Sequence, residues 1–107
     1  MTDKRIVLTT TSSEEEARKI AHRLVETQLA ACVQITPHVE SVYRWKGKVE
    51  SNREWLLLIK TSAERFPAAR DAIHAMHSYE LPECVAIEIT DGSAEYLQWL
   101  GESLPPL

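Results

Sequence analysis

The sequence predicts an α+β fold whose elements run β-α-β-β-α-β-α. Three observations point there. Four stretches have the β-branched, alternating or short apolar pattern of strands, and three others repeat apolar residues at helical spacing. The tight turn Lys46-Gly47-Lys48 joins the two longest extended stretches into a hairpin.

Arg5 to Thr11 reads RIVLTTT, rich in β-branched residues. Ile6, Val7 and Leu8 are consecutive, so both faces look buried, as in a central strand. Ser13 then opens a capping box with Glu16. Ala17, Ile20, Ala21 and Leu24 follow at i, i+3, i+4 and i+7, one apolar stripe on a helix running to about Gln28. Glu14, Glu15 and Glu16 read as the solvated first turn of that helix, where negative charge suits its dipole.

Ala31 to Trp45 reads as a long strand in which Cys32, Gln34 and Thr36 alternate with Val33 and Ile35. Pro37 removes a backbone donor, which suggests an edge strand, a bend or a bulge. Gly47 is able to take positive φ in the turn that follows. Val49 to Thr61 returns as the partner strand. Its outer half, Glu50 to Arg53, is polar, and its inner half, Trp55 to Ile59, is apolar on both faces.

Thr61-x-x-Glu64 predicts the cap of a second helix, with Pro67 tolerated in its first turn. Phe66, Ala69, Ile73 and Met76 form its stripe, and it ends near His77 and Ser78, before Pro82. Glu83 to Thr90 predicts a fourth strand with Val85, Ile87 and Ile89 on one face and Cys84, Ala86 and Glu88 on the other. Asp91-Gly92 turns the chain, and Ser93 caps a short last helix carrying Tyr96, Leu97 and Leu100.

Two right-handed crossovers around one hairpin make a ferredoxin-like βαββαβ sandwich with an extra C-terminal helix. The expected strand order is fourth, first, third, second, with strands one and three central. Two helices cover one sheet face. The other carries either Leu56 and Leu58 or Trp55, Leu57 and Ile59, a patch that in one copy faces water and so predicts an interface. The alternative is that the third helix covers it.

The 107 residues suit a single domain spanning 1–107. A net charge of −4 argues against non-specific nucleic-acid binding, which needs Lys and Arg to displace counterions. No apolar run approaches the roughly 20 residues of a membrane span. Ile6 to Leu8 is too short for a signal-peptide core, which predicts a cytoplasmic address. Cys32 and Cys84 form no CxxC and are expected on opposite sheet edges, so they read as buried free thiols. Strands one and three lack the aromatic pair of an RNA-recognition sheet. The first βα loop, Thr9 to Ser13, has neither a thiol pair for Cu(I) nor an arginine for phosphate. With no nucleophile–base pair, the chain does not read as an enzyme.

Several segments together are specific: Ala30-Ala31-Cys32-Val33, Ser41 to Glu50 (SVYRWKGKVE), Leu57 to Thr61 (LLIKT), His77 to Glu83 (HSYELPE) and Tyr96 to Trp99 (YLQW). In this order, across nearly the whole chain, they resemble the CutA (divalent-cation tolerance) family. The resemblance implies a very stable homotrimer, similar in fold to the PII signalling proteins, with clefts between subunits and a link to tolerance of divalent cations, copper above all. Trp45, Trp55, Leu57 and Ile59 are then the expected trimer interface. The family's metal-ligand pattern, a Cys ending strand one and a His-His pair, falls here on Thr9, Met76 and His77, so only His77 is kept.

Two candidate sites follow. His74 and His77 stand i, i+3 on the second helix with Glu80 and Glu83 just beyond; imidazole suits Cu(II) or Zn(II), and the alternative is a surface pair with no ligand. Met76 offers a thioether for Cu(I) or packs in the core. The second site is a cleft of Lys60, Tyr79, Glu80, Glu83, Tyr43 and Trp45, where a lysine among acids and aromatics suits a small anion or metabolite. Its alternative is an intersubunit salt-bridge and aromatic network. His22 and His38 have no companions at ligand spacing. The expected partners are a second and third copy of the chain and a divalent cation or small ligand, with copper or another divalent cation as a possible but not required cofactor, and with neither nucleic acid nor membrane.

Overall fold

The computed structural model describes residues 2–106. Its elements are β1 (Lys4–Thr11), α1 (Glu14–Glu26), β2 (Cys32–Trp45), β3 (Lys48–Ser62), α2 (Phe66–Met76), β4 (Val85–Glu88) and α3 (Ala94–Glu102). The four strands form one antiparallel sheet in the order β2-β3-β1-β4, with β1 and β3 at its centre. No helix among the described residues is long and apolar enough to cross a membrane.

The register of β1 on β3 sorts the side chains onto two faces. Val7, Thr9 and Thr11 stand opposite Ile59, Leu57 and Trp55. On this face α1 and α2 close the core, where Val7, Ile20, Leu24, Leu57, Ile59 and Ile73 are 0% exposed. The expectation that Leu57 and Ile59 line a trimer interface is therefore corrected: the helices of the same chain already bury them. Trp55 is on that side too, packed against the core and edge-on to His38 with ring centroids 5.3 Å apart.

The opposite face carries Ile6 and Leu8 beside Lys60 and Leu58, with Ile87 and Val85 along their other flank. The third helix covers only one end of it. There Lys60 Nζ donates to Tyr96 Oη at 3.2 Å, and Gly101 lies beside the Lys4 side chain. Val85 and Ile87 stay 48% and 51% exposed. β4 is four residues long, shorter than the expected Glu83–Thr90.

Local chemistry explains most element ends. Ser13 Oγ accepts the Glu16 N–H at 3.1 Å, the predicted cap of α1. Thr61 does not cap α2: it lies within β3 and its hydroxyl donates to the Leu29 carbonyl. Ser62 Oγ takes the Arg65 N–H instead, and Pro67 fills the first turn, where its missing N–H costs nothing. Ser93 precedes α3 without a side-chain cap bond. The Pro37 irregularity is a register shift between Thr36 and Val39, with His38 at φ 61°. The hairpin turns on Lys46 (φ 50°) and Gly47 (φ 81°), both left-handed as a two-residue type I′ loop requires. The hairpin outruns the sheet and stretches the molecule to 44 Å against 25 and 22 Å.

Candidate functional site

Beyond the end of β1, the hairpin and the segment after α2 enclose a concavity of about 620 Å³. Tyr43, Trp45, Asn52 and Glu54 come from the hairpin, and Tyr79, Glu80, Leu81 and Glu83 from the segment after α2. The two walls meet over Thr10.

The second wall is held by His77. The helix stops at Met76 because His77 turns extended, at φ −80° and ψ 140°. Its side chain is fully buried. Nε2 lies 2.7 Å from the Thr10 carbonyl oxygen, which only accepts, so Nε2 carries a proton and donates. Nδ1 accepts the Tyr79 N–H at 3.1 Å and lies 3.3 Å from Glu16 Oε1. Glu16 in turn accepts from the Ser78 N–H at 3.0 Å and from its hydroxyl at 2.7 Å. The carboxylate that sequence reading assigned to a capping box thus ties the loop to α1.

This geometry sets what the predicted ligands have left to offer a metal. In the neutral ring both nitrogens of His77 are engaged, and in the protonated ring neither has a lone pair to give. His74 is exposed on α2, a helix that ends before His77, so the two do not share its face. Thr9 Oγ1 is buried without a hydrogen-bond partner, and Met76 packs against the core. Thr9, Met76 and His77 do not fit a copper chelate. Among the described residues no three His, Cys, Asp or Glu side chains converge on a point that holds a metal ion.

The cleft set divides. Tyr43, Trp45, Tyr79, Glu80 and Glu83 do line one concavity, but Lys60 does not. Its ammonium lies over the Tyr96 ring, 5.3 Å from the centroid, against α3. Without Lys60 the lining holds three carboxylates, Glu54, Glu80 and Glu83, and no basic side chain. The charge therefore favours a cation over the expected anion.

Thr10, Ser41, Val42, Asn52, Glu54 and Leu81 are the lining residues that the sequence reading did not place in the cleft. Glu54 is only 6% exposed, and its Oε2 accepts the Tyr79 hydroxyl at 2.5 Å. Burial first, then the hydrogen bond and charge of Glu54, push the Tyr79 phenol well above its ordinary 10.0, so it remains a proton donor. Asn52 donates its amide to Tyr43 Oη. One signal was available for Glu54: it shares strand parity with Leu56 and Leu58, immediately before the buried half of β3. The two cysteines are free and half-buried, and burial raises the thiol pKa of Cys84.

Residues 5–103 match the family described as CutA1 divalent ion tolerance protein. A divalent-cation tolerance protein CutA from Thermus thermophilus is 50% identical over 98 residues, which cover 92% of this chain and 95% of that protein. The chloroplastic protein CutA of Arabidopsis thaliana is 44% identical over 92% of this chain, which spans about half of that longer relative, 54%. A solved structure of the divalent cation tolerance protein from Thermus thermophilus superposes with a TM-score of 0.93 at 48% identity, covering 95% of this chain and 99% of that one.

Proposed function

The chain belongs to the CutA1 divalent ion tolerance protein family, and from that membership we propose that it acts in divalent-cation tolerance as a homotrimer, binding cations or a small ligand in clefts between subunits. The observation that carries this reading is the concavity whose only charged side chains are carboxylates. Oxygen donors of this kind suit hard divalent cations and accept Cu(II) less selectively than imidazole would. Glu80 and Glu83 are exposed, and on this reading a neighbouring copy completes the donor set.

The sheet face bearing Ile6, Leu8, Leu56, Leu58, Val85 and Ile87 supports assembly. α3 leaves Val85 and Ile87 half open, and apolar patches of this sort mark interfaces. The trimer interface is then this face together with Trp45 at the hairpin end, in a PII-like arrangement of ferredoxin-like subunits. The free thiols suit a reducing compartment such as the cytoplasm. The protein works by binding rather than by catalysis.

Sedimentation at micromolar concentration is expected to give three times the 12.2 kDa chain mass; a single copy overturns the assembly. Calorimetry with Cu(II) is expected to show affinity that falls in Glu83→Gln. A second reading, a structural assembly with incidental metal binding, is favoured by the occupied nitrogens of His77. A titration without a stoichiometric site selects it.

A further inference from the structure

We propose that the concavity takes a small organic ammonium ion, its charge seated on Glu54 and its carbon skeleton against Tyr43 and Trp45. This rests on the reading that the concavity is the ligand site and names the class of ligand. A space of about 620 Å³ is far larger than a bare ion needs. It falls within the roughly 300–1,000 Å³ of small-molecule sites, which pair apolar walls with a few placed polar groups. Here the walls are Tyr43, Trp45, Tyr79 and Leu81, and the polar groups are acidic.

Glu54 supplies a second and independent observation. It is a carboxylate more than nine-tenths buried on the cavity wall. Oε2 is satisfied by Tyr79, and no hydrogen bond to Oε1 is seen among the described residues. A buried carboxylate with one neutral donor is under-compensated. An ammonium N–H donated to Oε1 supplies both the missing hydrogen bond and the opposite charge. Tyr79 cannot supply that charge, because it donates as a neutral phenol. Trp45 and Tyr43 offer aromatic faces of the kind an ammonium prefers. A metal ion needs several converging donors, which the described residues do not bring together, whereas an alkylammonium needs one carboxylate and an aromatic face.

The test is titration of the whole chain with 1,4-diaminobutane, followed by calorimetry and tryptophan fluorescence, with 1,4-butanediol as the uncharged control. Saturable binding of one diamine per chain is expected, with the diol at least tenfold weaker. Glu54→Gln, which keeps the shape and an acceptor for Tyr79, is expected to weaken the diamine at least tenfold. Trp45→Leu is expected to weaken it several-fold, and Glu26→Gln, outside the lining, to leave it unchanged. Equal binding of diol and diamine, no saturable binding, or a Glu26→Gln loss matching Glu54→Gln overturns the proposal. If Glu54→Gln fails to fold, Trp45→Leu and the diol comparison on the natural chain still decide. Sedimentation of the same samples separates the two readings: a single copy that binds diamine refutes the trimer alone, and a trimer indifferent to diamine refutes the ligand class alone.

Discussion

Tyr79 and Glu54 form the contact on which the site's shape depends. Replacing Tyr79 with Phe removes the donor to a buried carboxylate and is expected to cost about 2 kcal/mol of stability, measured by urea unfolding. The pH dependence has a definite sign. The folded pKa of Tyr79 is raised, so its contribution is whole below the ordinary value of 10.0 and is lost as pH climbs above it. Tyr79→Phe is expected to flatten that alkaline decline. Thr9 presents the opposite case, a buried hydroxyl with no partner. Thr9→Val keeps the shape and deletes the unsatisfied group, so thermal unfolding is expected to show a gain of up to about 1 kcal/mol. Neither role can be read from residue type. Strand parity places Glu54 on a face, but its burial comes from a loop 25 residues further along the chain.

Among the elements, β3 carries the sharpest contrast. Leu57 and Leu58 are adjacent leucines, yet Leu57 lies under the helices and Leu58 faces the uncovered side. Leu57→Asp is expected to unfold the chain, costing about 4 kcal/mol or more, because it leaves an unpaired charge in the core. Leu58→Asp is expected to leave far-UV circular dichroism native and to lower the sedimenting mass toward one copy. A run apolar on both sides shows that both faces of a strand are covered; it does not show which cover belongs to the same chain. The hairpin was more legible. Pro37, Gly47 and the polar outer half of β3 marked its bulge, turn and exposed end, because those features follow from φ limits and missing donors that act within a few residues. The His77 segment was less so: helical spacing with His74 suggested a shared face, but the helix ends one residue early and the ring turns inward to Thr10.

For the whole molecule, the order of elements and the central placement of β1 and β3 followed from periodicity and crossover handedness, both properties of the chain's local pattern. Which lysine joins which cluster did not. Lys60 and the Tyr79 segment were grouped because both flank predicted strand ends, but antiparallel pairing carries Lys60 to the α3 end of β3 and Glu54 to the other. Periodicity, capping and turn chemistry depend on neighbours a few positions away, and so the amino-acid order was enough for the strands, the helices and the sheet's middle. The acidity of the concavity, the bond from His77 Nε2 to Thr10 and the uncovered half of the sheet arise from contacts between residues tens of positions apart, and the folded chain alone establishes those distances.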